Sequence, residues 1–536
     1  MKLSDHDLLQ LTEKDLEELP EAVVRQLSVK LLVDLKEARE RLRQTSKTSS
    51  RPPSSDLPWD RMRDEEQNRE GGVNEDSAPP EKPDETDSAA EDTDEAPQPP
   101  VAKQPLGEHN THQNPPVVAR KPGKQWGAQG FGRQQSIKVT AETHHYPTHC
   151  ALCDADLASP SATAYTAFET LDIIWGRSEQ PGIQLTNTKH TYFECGCDRC
   201  GHRTQAAPHR QSAHPLTPDI ELCEWRLVGP HLAVLIVCLA YRMRLSRVRI
   251  QEFFHDWFSL HLSVGLINAT LHESGAAALP IEDELVEAIQ NSPLVQVDET
   301  SWPEAAQLLW LWVFCGQDVV AYWIIASRGA ELITTVLGNQ YAGVLMSDGW
   351  HVYRAFLNRL RCWAHLIRKA KGLEISLDAS ARQFGQHTLQ LLGMLMEAVY
   401  QARKHPPDQP LPQTFKCELE AYRALCQSMS DAAHEKTRQL AREMLNDWEA
   451  IFHVLAQPEW PLTNNEAERM LRHWVILRRI SHGTRSENGT RFFAILISVI
   501  ETCRVRQQSP WLYLAEVIRI RRSGFPVPRL PLAKGV

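Results

Sequence analysis

No apolar run in this 536-residue chain is long enough to span a bilayer: the most apolar stretch, Leu232 to Ala240, falls far short of the ~20 residues a membrane helix needs. The opening MKLSDHDLLQ lacks the basic flank and long apolar run of a secretory signal, so no export and no membrane contact are expected. Without export, the 12 cysteines read as reduced thiols or metal ligands, not as a disulfide framework. An excess of positive charge is also missing, with a formal net charge of -10. The deficit is local. Between Asp56 and Glu95 stand 16 Asp or Glu against 4 Lys or Arg, a net of -12, which leaves +2 for the remainder, so the overall charge says little about the folded part. What is present, 42% hydrophobic residues and 15 tryptophans, suits a globular protein of three or four units.

Composition shifts divide the chain. Residues 1–44 carry Val24, Leu27, Leu31 and Leu35 at helical spacing among many charges, which predicts an amphipathic helical segment, either a short coiled coil or a hairpin packed on the rest. Residues 45–122 are rich in Ser, Pro, Asp, Glu and Gln and are expected to be a disordered acidic linker. Residues 123–210 open on GKQWGAQGFG, which reads as a flexible linker, and contain Cys150-x-x-Cys153 and Cys197-x-x-Cys200 followed by Gly201. Two such pairs supply four soft ligands for tetrahedral zinc. The bland reading is four reduced cysteines, and Cys195 competes as a ligand for the second pair. Residues 211–290 are strongly helical in pattern and mix apolar with basic residues (RMRLSRVRIQEFFHDWF), as in a helical DNA-binding region or a structural bundle with solvated arginines. Residues 506–536 form a C-terminal tail.

The chemistry lies in residues 291–505. LVQVDETSW, LLWLWVFCG and VVAYWIIAS are three β-rich runs, followed by a helical GAELITTVLG and a fourth strand-like run, GVLMSDGW. Three strands, a helix and a fourth strand is the order of a ribonuclease-H-like domain, and the expected fold is an α/β core of that kind. Asp298 then lies on the first strand and Asp348 at the end of the fourth, side by side at one sheet edge. Paired carboxylates repel unless a cation lies between them. Oxygen ligands with open positions suit magnesium, and two such ions about 3.5–4 Å apart can activate an attacking oxygen and stabilise a leaving one on a phosphodiester. A third acid is offered by TNNEAERMLRHW, a helix that Thr463 or Asn464 can cap. Glu466 and Glu468 there point about 200° apart, so only one faces the aspartates, and spacing does not choose between them. Residues 373–460 are mostly helical in pattern and form an all-helical insertion between the second Asp and this helix.

The strings VDETSW, LMSDGWHVYRAF with RCWAHLIRK, and TNNEAERMLR with ILRRISHGTRSENGTRFFAILISVIETCRV resemble the transposases of the insertion sequence 66 family over roughly Asn291 to Val517, and more loosely the cysteine pairs and helical region before it. The resemblance implies a DDE transposase that uses Mg2+ or Mn2+ to cleave at transposon ends and transfer strands into target DNA. It further implies Asp298, Asp348 and Glu468 as catalytic metal ligands, because the family motif Asp-Asn-Asn-x-x-Glu-Arg aligns onto Thr463 to Arg469. Thr463 replaces the motif's Asp, one cap for another, and the acidic linker departs from the compact basic region of many relatives. The resemblance also covers Cys362-x-x-His365, two ligands that make half a metal site and read more simply as packing or an orienting hydrogen bond. From Glu466 to Arg506 there are 8 Arg and 4 Glu, and Arg472, Arg478, Arg479, Arg485 and Arg491 are candidates for phosphate contact, or else a solvated face with internal ion pairs. A transposase of this kind is expected to be bacterial and cytoplasmic, nucleoid-associated when bound, and assembled as a homo-oligomer on DNA with accessory proteins of its element. The competing readings are a nuclease on the same fold and a non-catalytic DNA-binding descendant.

Overall fold

The computed structural model describes residues 20–42, 137–157, 162–177 and 180–534. The acidic linker, the GKQWGAQGFG segment and residues 8–19 of the first helical pattern lie outside the described residues. Helix α1 (Glu21–Leu42) carries Leu31 and Leu35 as exposed side chains.

The cysteine region is built on strands. β1 (Ala141–His145) pairs in parallel with β3 (Gln180–Gly196), which pairs antiparallel with β2 (Thr163–Arg177) over most of its length. β-branched and aromatic residues recur along TAYTAFETLDIIWGR, which favours a long pleated strand. These two strands fill the interval between the cysteine pairs. β4 (Arg203–Gln205) pairs with the end of β3, so Cys197 and Cys200 sit in the turn between them, where Gly201 takes the left-handed φ of +73°. β5 (Arg210–Ser212) and β6 (Glu221–Cys223) form a separate ribbon.

Four helices follow: α2 (Pro230–Val237), α3 (Arg247–Phe258), α4 (Val264–Ala278) and α5 (Glu282–Gln290). Asp172 of β2 accepts the Leu232 N–H at 2.7 Å in the first turn of α2, which ties the strands to the helices. The helical pattern through RMRLSRVR is broken. A π-turn over Cys238–Arg242 gives way to Arg244 at φ +60°, and the Ser246 side chain caps α3 by accepting from Arg249 N. Arg244 then reaches His473 Nδ1 at 2.7 Å, a distant contact that pattern alone does not foresee.

The central sheet has the order β11-β10-β7-β8-β9. β7 (Leu294–Glu304), β8 (Gln307–Cys315) and β9 (Val320–Ile325) form an antiparallel meander, and helix α6 (Glu331–Leu337) returns the chain to β10 (Val344–Ser347), parallel to β7. β11 (Arg359–Arg361) lies parallel to β10. A helical segment follows, comprising α7 (Trp363–Glu374), α8 (Ala379–Lys404), α9 (Leu411–Thr414), α10 (Lys416–Met429), α11 (Glu435–Asn446) and α12 (Trp448–Phe452). It has its own hydrophobic cluster around Trp363, Phe384 and Leu392. Asp447, between α11 and α12, anchors this segment to the sheet: it accepts from Arg354 Nε at 2.9 Å, Arg359 Nη2 at 2.6 Å and Arg361 Nε at 3.2 Å.

The chain closes with α13 (Asn465–Ser481), α14 (Glu487–Val505) and α15 (Pro510–Arg522). α14 is buried along most of its length between β9 and α4. Its Ser498 accepts from Tyr322 N at 2.8 Å, and its Thr502 accepts from Val320 N at 3.1 Å and donates to Val320 O at 2.8 Å. Gly275 of α4 lies so close to α14 that a Cβ there would stand 2.2 Å from Phe492 Cβ. Arg522 of α15 reaches Glu273 of α4 in a buried two-point ion pair.

Candidate functional site

Strand register positions the two aspartates. β10 pairs with β7 as Val344↔Leu294, Leu345↔Val295 and Met346↔Gln296, so continuing that register sets Asp348 level with Asp298. Each carboxylate is held by main chain: Glu299 N donates to Asp298 Oδ1 at 3.0 Å, and Trp350 N to Asp348 Oδ1 at 2.8 Å. Asp298 keeps a partly exposed surface yet is crowded by protein. Burial, followed by the negative charges of Glu299, Asp348 and Glu468, pushes its carboxyl well above the usual carboxylate range.

The two glutamates of α13 part company in space. Glu466 Oε2 accepts from Gln296 Nε2 at 3.2 Å, and Arg469 lies 3.6 Å from its other oxygen. Glu468 is the one of the two whose charge bears on Asp298. Its Oε1 lies 3.5 Å from Arg368 Nη2 and 3.9 Å from His365 Nδ1. The three acids therefore share a neighbourhood without converging tightly: among the described residues, the groups of three or more possible ligand atoms within 4.8 Å of one another are the four cysteines and Cys362, His365 and Glu468.

Asn464 stands at the cap position of α13, but its side chain does not cap the helix as the sequence suggested. Its Nδ2 donates to Val297 O at 2.8 Å and pins the helix start beside Asp298. Its Oδ1, with Glu468 Oε1, Gln296 Oε1 and His365 Nδ1, is buried without a hydrogen-bond partner. Orphaned acceptors gathered beside carboxylates are what a cation or ordered water satisfies. The imidazole of His365 is pushed down to about 3 by burial and by the charges of Arg368, Arg361 and Lys369, which keeps it neutral.

Glu299 is a residue that sequence reasoning missed. Its side chain is 1% exposed and is held by Tyr353 OH and by Arg328 Nη2 at 2.7 Å. Arg328 in turn is sandwiched between the rings of Trp310 and Trp350, 4.5 Å and 4.1 Å from their centroids. The signal was present in the period-2 pattern, which turns Glu299 to the face opposite Asp298 and demands a buried cation for it.

The four cysteines of the two C-x-x-C pairs come together, with Cys150 Sγ 3.6 Å from Cys200 Sγ and Cys153 Sγ 3.6 Å from Cys197 Sγ. Tetrahedral zinc with bonds of ~2.3 Å sets its sulfurs about 3.8 Å apart, which this cluster nearly matches. Main-chain N–H groups of Cys153 and Leu152 lower the Cys150 thiol to about 6, while the neighbouring thiols and burial push Cys153 up to about 12 and Cys200 upward, so the crowded sulfurs favour one thiolate among them. Cys195, the competing ligand, is buried on β3 and lies outside the cluster.

The arginines divide. Arg478 turns inward, with Nη1 donating to Thr300 Oγ1 at 3.0 Å and to Ser301. Arg491 lies 3.6 Å from Glu282, and Arg485 is exposed but donates to His482 O at 3.0 Å. Arg472 and Arg479 are exposed on α13. Among the described residues no helix is long and apolar enough to cross a membrane.

Comparison with known proteins agrees with the position of these motifs. The chain is 22% identical over 316 residues to the uncharacterized protein y4qI of Sinorhizobium fredii, covering 52% of this chain and 57% of that protein. It is 24% identical over 421 residues to y4hP of the same organism, covering 72% of each, and 26% identical over 192 residues to y4jO, covering 36% of this chain and 57% of y4jO. Residues 226–491, which hold both aspartates, the helical segment and the first turn of α13, match the family described as Transposase IS66 family, and through them the chain belongs to that family.

Proposed function

We propose that the chain is a DNA transposase of the DDE type, with a ribonuclease-H-like core over residues 291–505 interrupted by the helical insertion 373–460. The observation that carries this reading is the parallel pairing of β7 with β10, whose register brings Asp298 and Asp348 level, with Glu468 near enough to raise Asp298. Asp298, Asp348 and Glu468 are the residues that would hold Mg2+ or Mn2+; the oxygen-only donor set and the orphaned acceptor Asn464 Oδ1 fit such an ion. When bound, the metal neutralises developing charge on the phosphodiester and activates the attacking oxygen, water in cleavage and a 3′ hydroxyl in strand transfer.

The protein's own part is positioning. Asp298 on β7 and Asp348 just past the end of β10 are set by the pairing of those strands, while Asn464 fixes the start of α13, which carries Glu468, beside β7. Arg472, exposed one turn along α13 from Glu468, would present positive charge for DNA phosphates, with Arg479 and Arg485 as exposed candidates further from the acids, whereas Arg478 and Arg491 make contacts within the fold. Residues 123–210 are read as a zinc-binding module and 211–290 as a helical DNA-binding region, with several copies and accessory proteins of the element assembling on transposon ends.

A strand-transfer assay on the element's DNA ends tests this, with and without magnesium, using the intact chain, Asp298→Ala, Glu468→Gln and Glu466→Gln. Joined products that require magnesium and vanish in the first two variants alone support the reading. Cleavage without joining favours a nuclease, DNA binding without chemistry favours a non-catalytic descendant, and an active Glu468→Gln with an inactive Glu466→Gln moves the third acid to Glu466.

A further inference from the structure

Cys362, His365 and Glu468 are brought together from two distant parts of the chain. Cys362 is the N-cap residue of α7, His365 lies in its first turn, and Glu468 lies in the first turn of α13. The two helix starts are fastened to each other: Trp363 N donates to Leu462 O at 2.9 Å and Asn464 N to Cys362 Sγ at 3.2 Å. The Asn464 N–H, at the start of α13, is thus aimed at a buried sulfur that stands at the start of α7. His365 Nδ1 and Glu468 Oε1 are buried and face each other without a hydrogen bond.

We infer that Cys362 Sγ, His365 Nδ1 and Glu468 Oε1 form a second transition-metal site, for a divalent ion of the zinc class, separate from the four-cysteine cluster. A bound ion would displace the Cys362 proton, so a thiolate, a carboxylate and a neutral imidazole would offset its two charges, with the Arg368 guanidinium, 3.5 Å from Glu468 Oε1, as the nearest outer charge. The ligand atoms lie within 4.8 Å of one another, and the His365–Glu468 separation of 3.9 Å closes by about 0.5 Å to reach tetrahedral bonds of ~2.0–2.1 Å. The sulfur and nitrogen donors select a softer ion than magnesium. Three protein ligands leave a fourth position open. Glu468 has two carboxylate oxygens, so an ion bound through Oε1 leaves the other for the aspartates and fixes where it points. The inference stands on this geometry whether or not the acids catalyse phosphoryl transfer.

Metal analysis of the full-length protein tests it, with zinc and cobalt as probes. The intact chain is expected to hold two zinc ions, Cys362→Ser and His365→Ala one each, and Cys150→Ser/Cys153→Ser one. Glu468→Gln should weaken the core ion at least about tenfold. A cobalt titration of the intact chain, which needs no variant to fold, should show two spectroscopically distinct sites, one rich in thiolate and one with a single thiolate, the second resistant to excess magnesium. One ion per intact chain, or two ions undiminished in a folded Cys362→Ser/His365→Ala variant, overturns the inference. Strand transfer assayed in parallel separates the two readings: one ion in an intact chain that joins strands with magnesium removes only this site, and two ions in an intact chain that does not join remove only the catalytic reading.

Discussion

Replacing Asp298 by Asn should stabilise the magnesium-free protein and reverse that order when magnesium is added. Asn keeps the shape of Asp and can still accept the Glu299 N–H through Oδ1, so the main loss is a negative charge that burial and Glu299, Asp348 and Glu468 all disfavour. The sign follows from proton binding. Because the folded state holds this proton more tightly than the unfolded chain, stability is greatest below the ordinary aspartate range and declines as pH rises toward the raised folded value, by up to about 1.4 kcal/mol per pH unit. Asp298→Asn is expected to relieve about 1–2 kcal/mol of this penalty at neutral pH. Magnesium at a hundred times its dissociation constant should stabilise the wild type by about 2.7 kcal/mol and the variant by far less. Denaturant melts between pH 5 and 8 can follow Trp302 and Trp312, both buried in the central sheet, in buffer without chelator so that any zinc on the thiol cluster is kept. An Asn variant less stable than wild type without magnesium, or one that gains as much from it, would refute the account of repelling carboxylates joined by a metal.

Asp447→Ala should cost about 3–5 kcal/mol in urea, since it strands the buried guanidinium groups of Arg359 and Arg361; a loss under 1 kcal/mol would show that Glu443 suffices for them. Burial alone would raise the Asp447 carboxyl, but the hydrogen bond from Arg359 and the charges of Arg359, Arg361 and Arg354 hold it below the usual range. Its contribution is therefore full above the ordinary aspartate value and is lost as pH falls through the depressed one, so the acid limb of a stability profile should flatten in the Ala variant. Gly275→Ala should destabilise by about 1–3 kcal/mol, because its Cβ meets Phe492 Cβ at 2.2 Å and Phe492 Cα at 2.9 Å and the two helices must part; an unchanged melting point would contradict that packing. Arg472→Ala should lower the salt slope of DNA affinity by about one while leaving sequence preference alone, and an unchanged slope would remove Arg472 from the phosphate contacts.

How much was legible follows the range of each interaction. Period-2 runs and the break at GAELITTVLG sufficed to order three strands, a helix and a fourth strand, because strand alternation is local. Spacing leaves Glu466 and Glu468 equivalent, and what parts them in space is Gln296, 170 positions away, which donates to Glu466. Asn464 looked like a cap, and only β7 beside it explains why its side chain turns to Val297. Cys362-x-x-His365 read as half a site because its third member stands 103 positions from His365. The continuous helical pattern across Met243 to Ser246 concealed a break that Ser246 and the Arg244–His473 contact impose. The cysteine spacing foretold the thiol cluster, but the long strands between the pairs went unread.

The hydroxyls of Ser498 and Thr502 along β9 bear on behaviour in crowded assemblies. A bare sheet edge is a template for the strand of any neighbouring chain, and several copies gathered on one DNA molecule would raise that hazard. By occupying the Val320 and Tyr322 amides from within, α14 denies other chains a foothold there. Copies of this protein brought together are then kept from fusing their sheets along β9, and the double variant Ser498→Ala/Thr502→Val should aggregate more readily.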